Sequence, residues 1–390
     1  MEYNFDEVID RTNTDCAKYD EMNQKFGSDK LHFAIADMDF RSPQPIITAL
    51  QQRVSHGIFG YTNLPKNYQA LVKGWMKRRY QCDIEEEWVV FSPRINMAAN
   101  MAVETFTNPG DKIILHTPSY PALSNAILKY NRQMLESPLE LVNGTYQMNL
   151  EALEKQMNSS VKMLILCNPH NPTGRVWSRH ELTSIAQFCE KHDLIVLSDD
   201  VHGDIVFDNA RYTPIIDIST EIRQRTILLS SITKTFNVPG IILSNMIIAN
   251  DSMREKMKNT VDRWGLHNPN SFAAAILEPA YTQCDEWLEK VINYIESNHR
   301  FIYDYIKSNM PLFECVNSQG TYLAWIDYQK TGFTEEQMNS FFLNRAKVTV
   351  YMGSHFGESG RGFFRMNFAT SHRYLEEGLK QIKKAYDKTF

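Results

Sequence analysis

Six short runs of apolar, largely β-branched residues, spaced too far apart for hairpins, constrain the fold more than any other feature of this chain. They are Trp88–Phe91, Lys112–Leu115, Val161–Leu166, Leu194–Leu197, Thr226–Leu229 and Met246–Ile248. Stretches with helical period separate several of them, such as the one carrying Leu182, Ile185, Ala186, Phe188 and Cys189. A strand without polar alternation is covered on both faces, which means a largely parallel sheet flanked by helices. From Phe272 to Asn309 long helical stretches take over, with Pro279 near the first break. Beyond them Thr321–Ile326, Val348–Tyr351 and Phe363–Phe368 alternate like strands of a second, antiparallel sheet, and Tyr374–Tyr386 has helical spacing. The expected fold is therefore α/β, with a large domain over 39–279 built on the mostly parallel sheet. A smaller α+β domain follows over 280–390, and an N-terminal segment, 1–38, packs with it.

Composition narrows the function. With 390 residues, 43% of them hydrophobic and 22% charged, the chain buries a core without staples or metals. Lys plus Arg number 41 against 46 Asp plus Glu, a net charge of −5. That balance offers no basic stripe for nucleic acid and no polybasic membrane anchor. The six cysteines form no C-x-x-C pair and no histidine cluster stands at zinc spacing, so reduced thiols and no metal are expected. The opening stretch carries Glu2, Asp6, Glu7 and Asp10, unlike a signal peptide, and no run approaches the roughly 18 apolar residues of a membrane span. A cytoplasmic protein is expected.

The chemistry follows the strands, because ligands of open parallel sheets bind outside the strands' carboxyl ends. After Phe91 comes Ser92-Pro93-Arg94-Ile95-Asn96; after Leu115 comes His116-Thr117-Pro118-Ser119-Tyr120. The later runs lead into Asn168-Pro169-His170-Asn171-Pro172-Thr173-Gly174, Ser198-Asp199-Asp200-Val201-His202 and Ser231-Ile232-Thr233-Lys234. Brought to one cleft, these supply a lysine, a carboxylate, an amide, an aromatic ring, hydroxyls and free backbone amides. Such a set suits a phosphorylated, ring-nitrogen cofactor joined to a lysine. The glycine strings of dinucleotide and nucleoside-triphosphate sites do not occur.

In their order and spacing these segments resemble the fold-type I pyridoxal-phosphate enzymes, the aspartate aminotransferase superfamily, over nearly the whole chain. Ala36-Asp37-Met38-Asp39-Phe40, Phe59-Gly60-Tyr61-Thr62, the histidine after Asp-Asp-Val and the Gly353–Asn367 stretch are most similar to its MalY/PatB-like cystathionine β-lyases.

The resemblance implies roles for individual residues, each with a plainer alternative. Lys234 would form the Schiff base with pyridoxal 5'-phosphate, its pKa lowered from about 10.4; otherwise it is a surface lysine after a strand. Asp199 would pair with the pyridine nitrogen, or simply cap a helix. Asp200 reads as its structural neighbour. Asn171 and His202 would meet the cofactor's phenolic oxygen, with Asn171 also near the substrate carboxylate; a turn and a structural histidine are the alternatives. Tyr120 would stack on the ring, or be a half-buried core tyrosine. Ser231 and the turn leading into Ile95 and Asn96 would hold the phosphate. Arg94 departs from the glycine usual there, and the lysine segment lacks the arginine many aminotransferases use for the phosphate. That leaves Arg94 either a clamp or the mark of a reshaped turn. Tyr61 would reach the phosphate from a neighbouring subunit, which implies a homodimer with a shared site; otherwise it is a loop aromatic in a core. Arg365 would grip the substrate carboxylate, with Arg361 as rival; otherwise Arg365 is a solvated arginine on the strand's outer face.

By resemblance the chain is a β-lyase cleaving cystathionine or other S-substituted cysteines to thiol, pyruvate and ammonia. An aminotransferase with the same residues is the second reading, and a non-catalytic regulatory protein on the same scaffold the third. The natural substrate and any regulatory role are not written in the motifs.

Overall fold

In the computed structural model, which describes residues 3–208 and 210–390, seven strands form one mixed sheet. Their spatial order is Val89–Ser92, Ser244–Ile247, Thr226–Ser230, Ile195–Asp199, Val161–Cys167, Lys112–Thr117 and Gln133–Pro138. Only Ser244–Ile247 runs antiparallel to its neighbours. Alternate side chains explain the apolar runs. Ile113, Leu115, Ile165, Leu197 and Ile227 pack with Ala98, Ala102, Met257 and Val261 on one face. Ile114, Leu164, Leu166 and Val196 pack with Leu182, Ile185 and Ala186 on the other. Both faces are core, so period-2 polarity disappears. The seventh strand, Gln133–Pro138, has no apolar run; it lies at an edge with only Ser137 fully buried, and an edge strand need not be hydrophobic.

A second, four-stranded antiparallel sheet has the order Glu314–Cys315, Leu323–Asp327, Phe363–Asn367, Tyr351–Met352. The expected strand over 348–351 is in fact two. Tyr351–Met352 joins this sheet, whereas Val348–Thr349 pairs in parallel with Leu31–His32 from the N-terminal segment. Pro279 does not break its helix: Ser271–Gln283 continues through it, because Ile276, Leu277, Ala280 and Tyr281 are buried on both sides of the proline. Packing there outweighs the lost backbone hydrogen bond. The helix therefore crosses the 279/280 boundary.

The long helix Asp285–Asn309 and the last helix, His372–Tyr386, cover the second sheet and its neighbours. The last helix approaches Phe33 so closely that a Cβ at Gly378 would sit 2.4 Å from that ring. Phe33 leads into a backbone strap, residues 34–40, held by Arg365 and Asn367 of the second sheet and by Asn237. No helix among the described residues is long and apolar enough to cross a membrane.

Candidate active site

The carboxyl ends of the large sheet open onto one pocket, lined by Tyr120, Asn171, Asp199, His202 and Lys234 together with Arg94, Ile95 and Asn96. Strand ends bring these residues together although up to 140 positions separate them. Lys234 lies in a one-turn helix, Ile232–Thr235, directly after the strand Thr226–Ser230. Ser231 caps that turn: its hydroxyl accepts from the Thr233 amide at 3.1 Å and donates to the Leu243 carbonyl at 2.6 Å. The expected phosphate role of Ser231 is a separate matter from this cap. Its oxygen also lies 2.8 Å from the Thr233 hydroxyl, and Thr233, given no role in the sequence reading, lines the pocket while Ser231 stands just behind it.

Asp199 ends its strand, buried, with the Val201 amide 3.3 Å from Oδ1 as its hydrogen-bond donor. Burial pushes its carboxyl up to about 6, opposed by that amide and by Lys234. Lys234 is pushed down to about 8, chiefly by burial, with Asp37 working against the shift and Arg365 adding to it. Its Nζ donates to the Ala36 carbonyl. Asp200 points away into a separate network, accepting from the Ser198 and Tyr212 hydroxyls. The His202 ring is buried 5.5 Å from the Tyr322 ring, and its Nδ1 has no hydrogen-bond partner. Burial first, then Lys234 and Arg365, push its pKa down to about 3, so the imidazole is neutral at pH 7.

Arg365 stands in the fully buried strand Phe363–Asn367. Its Nη1 donates to Asn171 Oδ1 at 2.9 Å and its Nη2 to the Ala34 carbonyl at 3.0 Å. The guanidinium carbon lies 4.8 Å from the Phe356 ring centre and 5.2 Å from that of Tyr351, a cation–π arrangement. Burial pushes this group down to about 10, although nearby tyrosines oppose the shift. Arg361, the rival, is half exposed and pairs with Glu358 at the surface. Tyr61 is not brought to the pocket of its own chain; it is 106% exposed, in a loop that also presents Ile58 and Phe59 to solvent.

Residues without an assigned role in the sequence complete the site. The strap carries Ala36, whose carbonyl also accepts from the Tyr322 hydroxyl at 3.1 Å. Asn367 Nδ2 donates to the Ile35 and Asp37 carbonyls, and Asn237 Nδ2 to those of Met38 and Phe40. A buried ion network anchors the strap's far side. Lys18, 1% exposed, reaches Asp39 at 2.7 Å; Arg11 reaches Asp39 at 2.7 Å and Asp37 at 2.6 Å. The Ala-Asp-Met-Asp-Phe string was a signal for the strap; nothing local marked Lys18, since lysines in helical stretches ordinarily face water.

Residues 28–382 match the family model of aminotransferase class I and II. The chain is 35% identical over 384 residues to the cystathionine beta-lyase PatB of Bacillus subtilis, covering 98% of this chain and 99% of that protein. It is 31% identical over 381 residues to the protein MalY of Escherichia coli, covering 97% of each. The structure of a PLP-bound putative aminotransferase from Clostridium difficile superposes with a TM-score of 0.96 at 35% identity, covering 99% of this chain and 100% of that one. The chain belongs to the aminotransferase class I and II family.

Proposed function

We propose that this protein is a pyridoxal-phosphate-dependent carbon–sulfur β-lyase, cleaving cystathionine or related S-substituted cysteines to a thiol, pyruvate and ammonia. The observation that carries this reading is one pocket holding a lysine of lowered pKa, a buried carboxylate and an arginine-bound asparagine, in a chain similar end to end to a cystathionine beta-lyase.

The residues fit the cofactor. Lys234 is the amine for its aldehyde, Asp199 the anion for its ring nitrogen, and the unpartnered Nδ1 of buried His202 a group for its phenolic oxygen beside Asn171. Tyr120 supplies a flat face. When bound, pyridoxal phosphate acts as an electron sink for the charge left at the substrate's α-carbon. The protein's own part is binding and proton handling. Arg365 offers a planar fork to the α-carboxylate, and Asn171 holds that fork through Oδ1 while keeping Nδ2 as a donor. A Lys234 amine titrating near 8 is neutral in about a tenth of molecules at pH 7, enough for a general base that removes the α-proton. The Ala36 carbonyl orients that amine whenever it is free. Asp199, with few competing donors, keeps its charge for a protonated ring nitrogen.

The same proposal includes a homodimer. Val54, Ile58, Phe59 and Tyr61 expose apolar surface in one region, and a second copy covering them would bring Tyr61 to its neighbour's pocket. It also includes the division into 1–38, 39–279 and 280–390, since the two sheets fall on either side of 279. Residence in the cytoplasm belongs to it as well, supported by six cysteines that are all free thiols.

An aminotransferase remains the rival, favoured by the description of the Clostridium difficile structure. Incubation with cystathionine separates them. Pyruvate and free thiol appearing without a keto-acid acceptor support elimination, and turnover that requires an acceptor and yields no thiol overturns it.

A further inference from the structure

The cations in and beside the pocket are unequally employed. Arg365 is engaged by Asn171 and the Ala34 carbonyl, and Lys234 is committed to the cofactor aldehyde. Arg94 lines the same pocket, exposed to solvent, and its guanidinium makes no hydrogen bond or ion pair to any described residue. It occupies the N-cap of the twelve-residue helix Ile95–Phe106 in an extended conformation, φ −143° and ψ 147°. The helical ladder begins only at the Ala98 amide, which donates to the Arg94 carbonyl at 2.9 Å. The amides before it have no helical partner. An N-cap side chain normally accepts from them, but a guanidinium has donors only. Those amides and the Arg94 fork therefore want the same thing: an anion from outside the chain. The same lining offers the Thr233 hydroxyl with Pro239, Ile242 and Leu243, and no arginine or lysine besides Arg94 and Lys234.

We propose that Arg94 clamps the phosphate of the cofactor, supplying the positive charge that this end of the pocket otherwise lacks. The inference rests on the proposed pyridoxal-phosphate site and adds a residue to it. A phosphate monoester carries nearly two negative charges at pH 7, and a planar fork meets two of its oxygens at once. Backbone amides and a hydroxyl shape the cradle; the arginine decides its charge.

The test compares two vitamers that differ only in the phosphate. Pyridoxal phosphate and pyridoxal are titrated into cofactor-stripped wild-type protein, Arg94→Ala and Arg94→Lys, following the absorbance of the imine at Lys234. Arg94→Ala should weaken pyridoxal phosphate about ten- to a hundredfold, the scale of one charge-assisted contact, and leave pyridoxal within about twofold. Arg94→Lys should recover part of the loss, as a point charge without the fork. Unchanged affinity for the phosphorylated vitamer overturns the proposal. Equal weakening of both vitamers overturns it too, because it marks a reshaped turn instead of a lost charge. Wild-type protein that captures neither vitamer at Lys234 overturns the cofactor reading itself, an outcome distinct from the other two.

Discussion

The floor of the pocket and the strap above it meet at Lys234, yet different forces hold them. Asp199 and Lys234 stand at or just past the ends of strands whose ladders and two-sided cores determine where those ends lie. The strap has almost no regular structure of its own. Its carbonyls are held by side chains from Tyr322, Asn237, Asn367 and Arg365, and its carboxylates by Arg11 and Lys18. A floor built this way tolerates loss of a functional side chain without unfolding. A strap built from buried charges does not, because removing one partner leaves the other charged and dry.

The largest expected effect is on the floor. Lys234→Ala should lower turnover of cystathionine by at least ~10³-fold, since it removes both the cofactor bond and the base, with the urea midpoint barely moved. A parallel collapse of stability would erase the contrast with the strap.

Lys18→Met should do the opposite, costing about 3–5 kcal/mol of unfolding free energy by stranding Asp39 against Arg11 alone. Urea unfolding of this variant within ~0.5 kcal/mol of wild type would show that the ion network does not anchor the strap. The pH dependence carries a definite sign. Burial alone would raise the Asp39 carboxyl, but Lys18 and Arg11 outweigh it and hold it below its ordinary value. Its contribution is complete above the unfolded value near 3.9 and is lost as pH falls through the lowered folded value. In Lys18→Met the acid loss should begin at higher pH.

Arg365→Ala sharpens the comparison, because this side chain touches both regions. It should raise the KM for cystathionine about ten- to a hundredfold, with a smaller drop in kcat, since Asn171 and the Ala34 carbonyl each lose a partner. An unchanged KM would remove it from substrate recognition. The smallest effect is kinetic. The rate at which cofactor-stripped protein captures pyridoxal phosphate should rise about tenfold per pH unit below 8 and level off above it, as the neutral amine becomes the dominant form. A midpoint near 10 would mean that burial does not tune Lys234.

Much of the floor was legible before any coordinates. Buried strands announce themselves as apolar runs, and polar or Gly-Pro chemistry after a run marks the segments that hold Lys234, Asp199, Asn171 and His202; the family resemblance then singled out those four. Arg365 was legible as a charge within an apolar segment. The bonds of Ser231 were not legible, because its donation to the Leu243 carbonyl at 2.6 Å depends on a partner 12 positions on. The edge strand Gln133–Pro138 carried no period because half of it faces water. Lys18 looked like any helical lysine; its burial comes from an aspartate 21 positions on.

By itself, the order of residues determined the layered architecture, the sites where chemistry could gather and the cofactor class they suit, because burial on two faces and strand-end turns are local signals. Only the tertiary structure decided which carbonyl faces the lysine, which hydroxyl turns inward, and that the strand expected over 348–351 divides between two sheets. Those outcomes depend on distant partners competing for the same hydrogen bonds, and that competition is settled in space by packing and charge burial rather than along the chain.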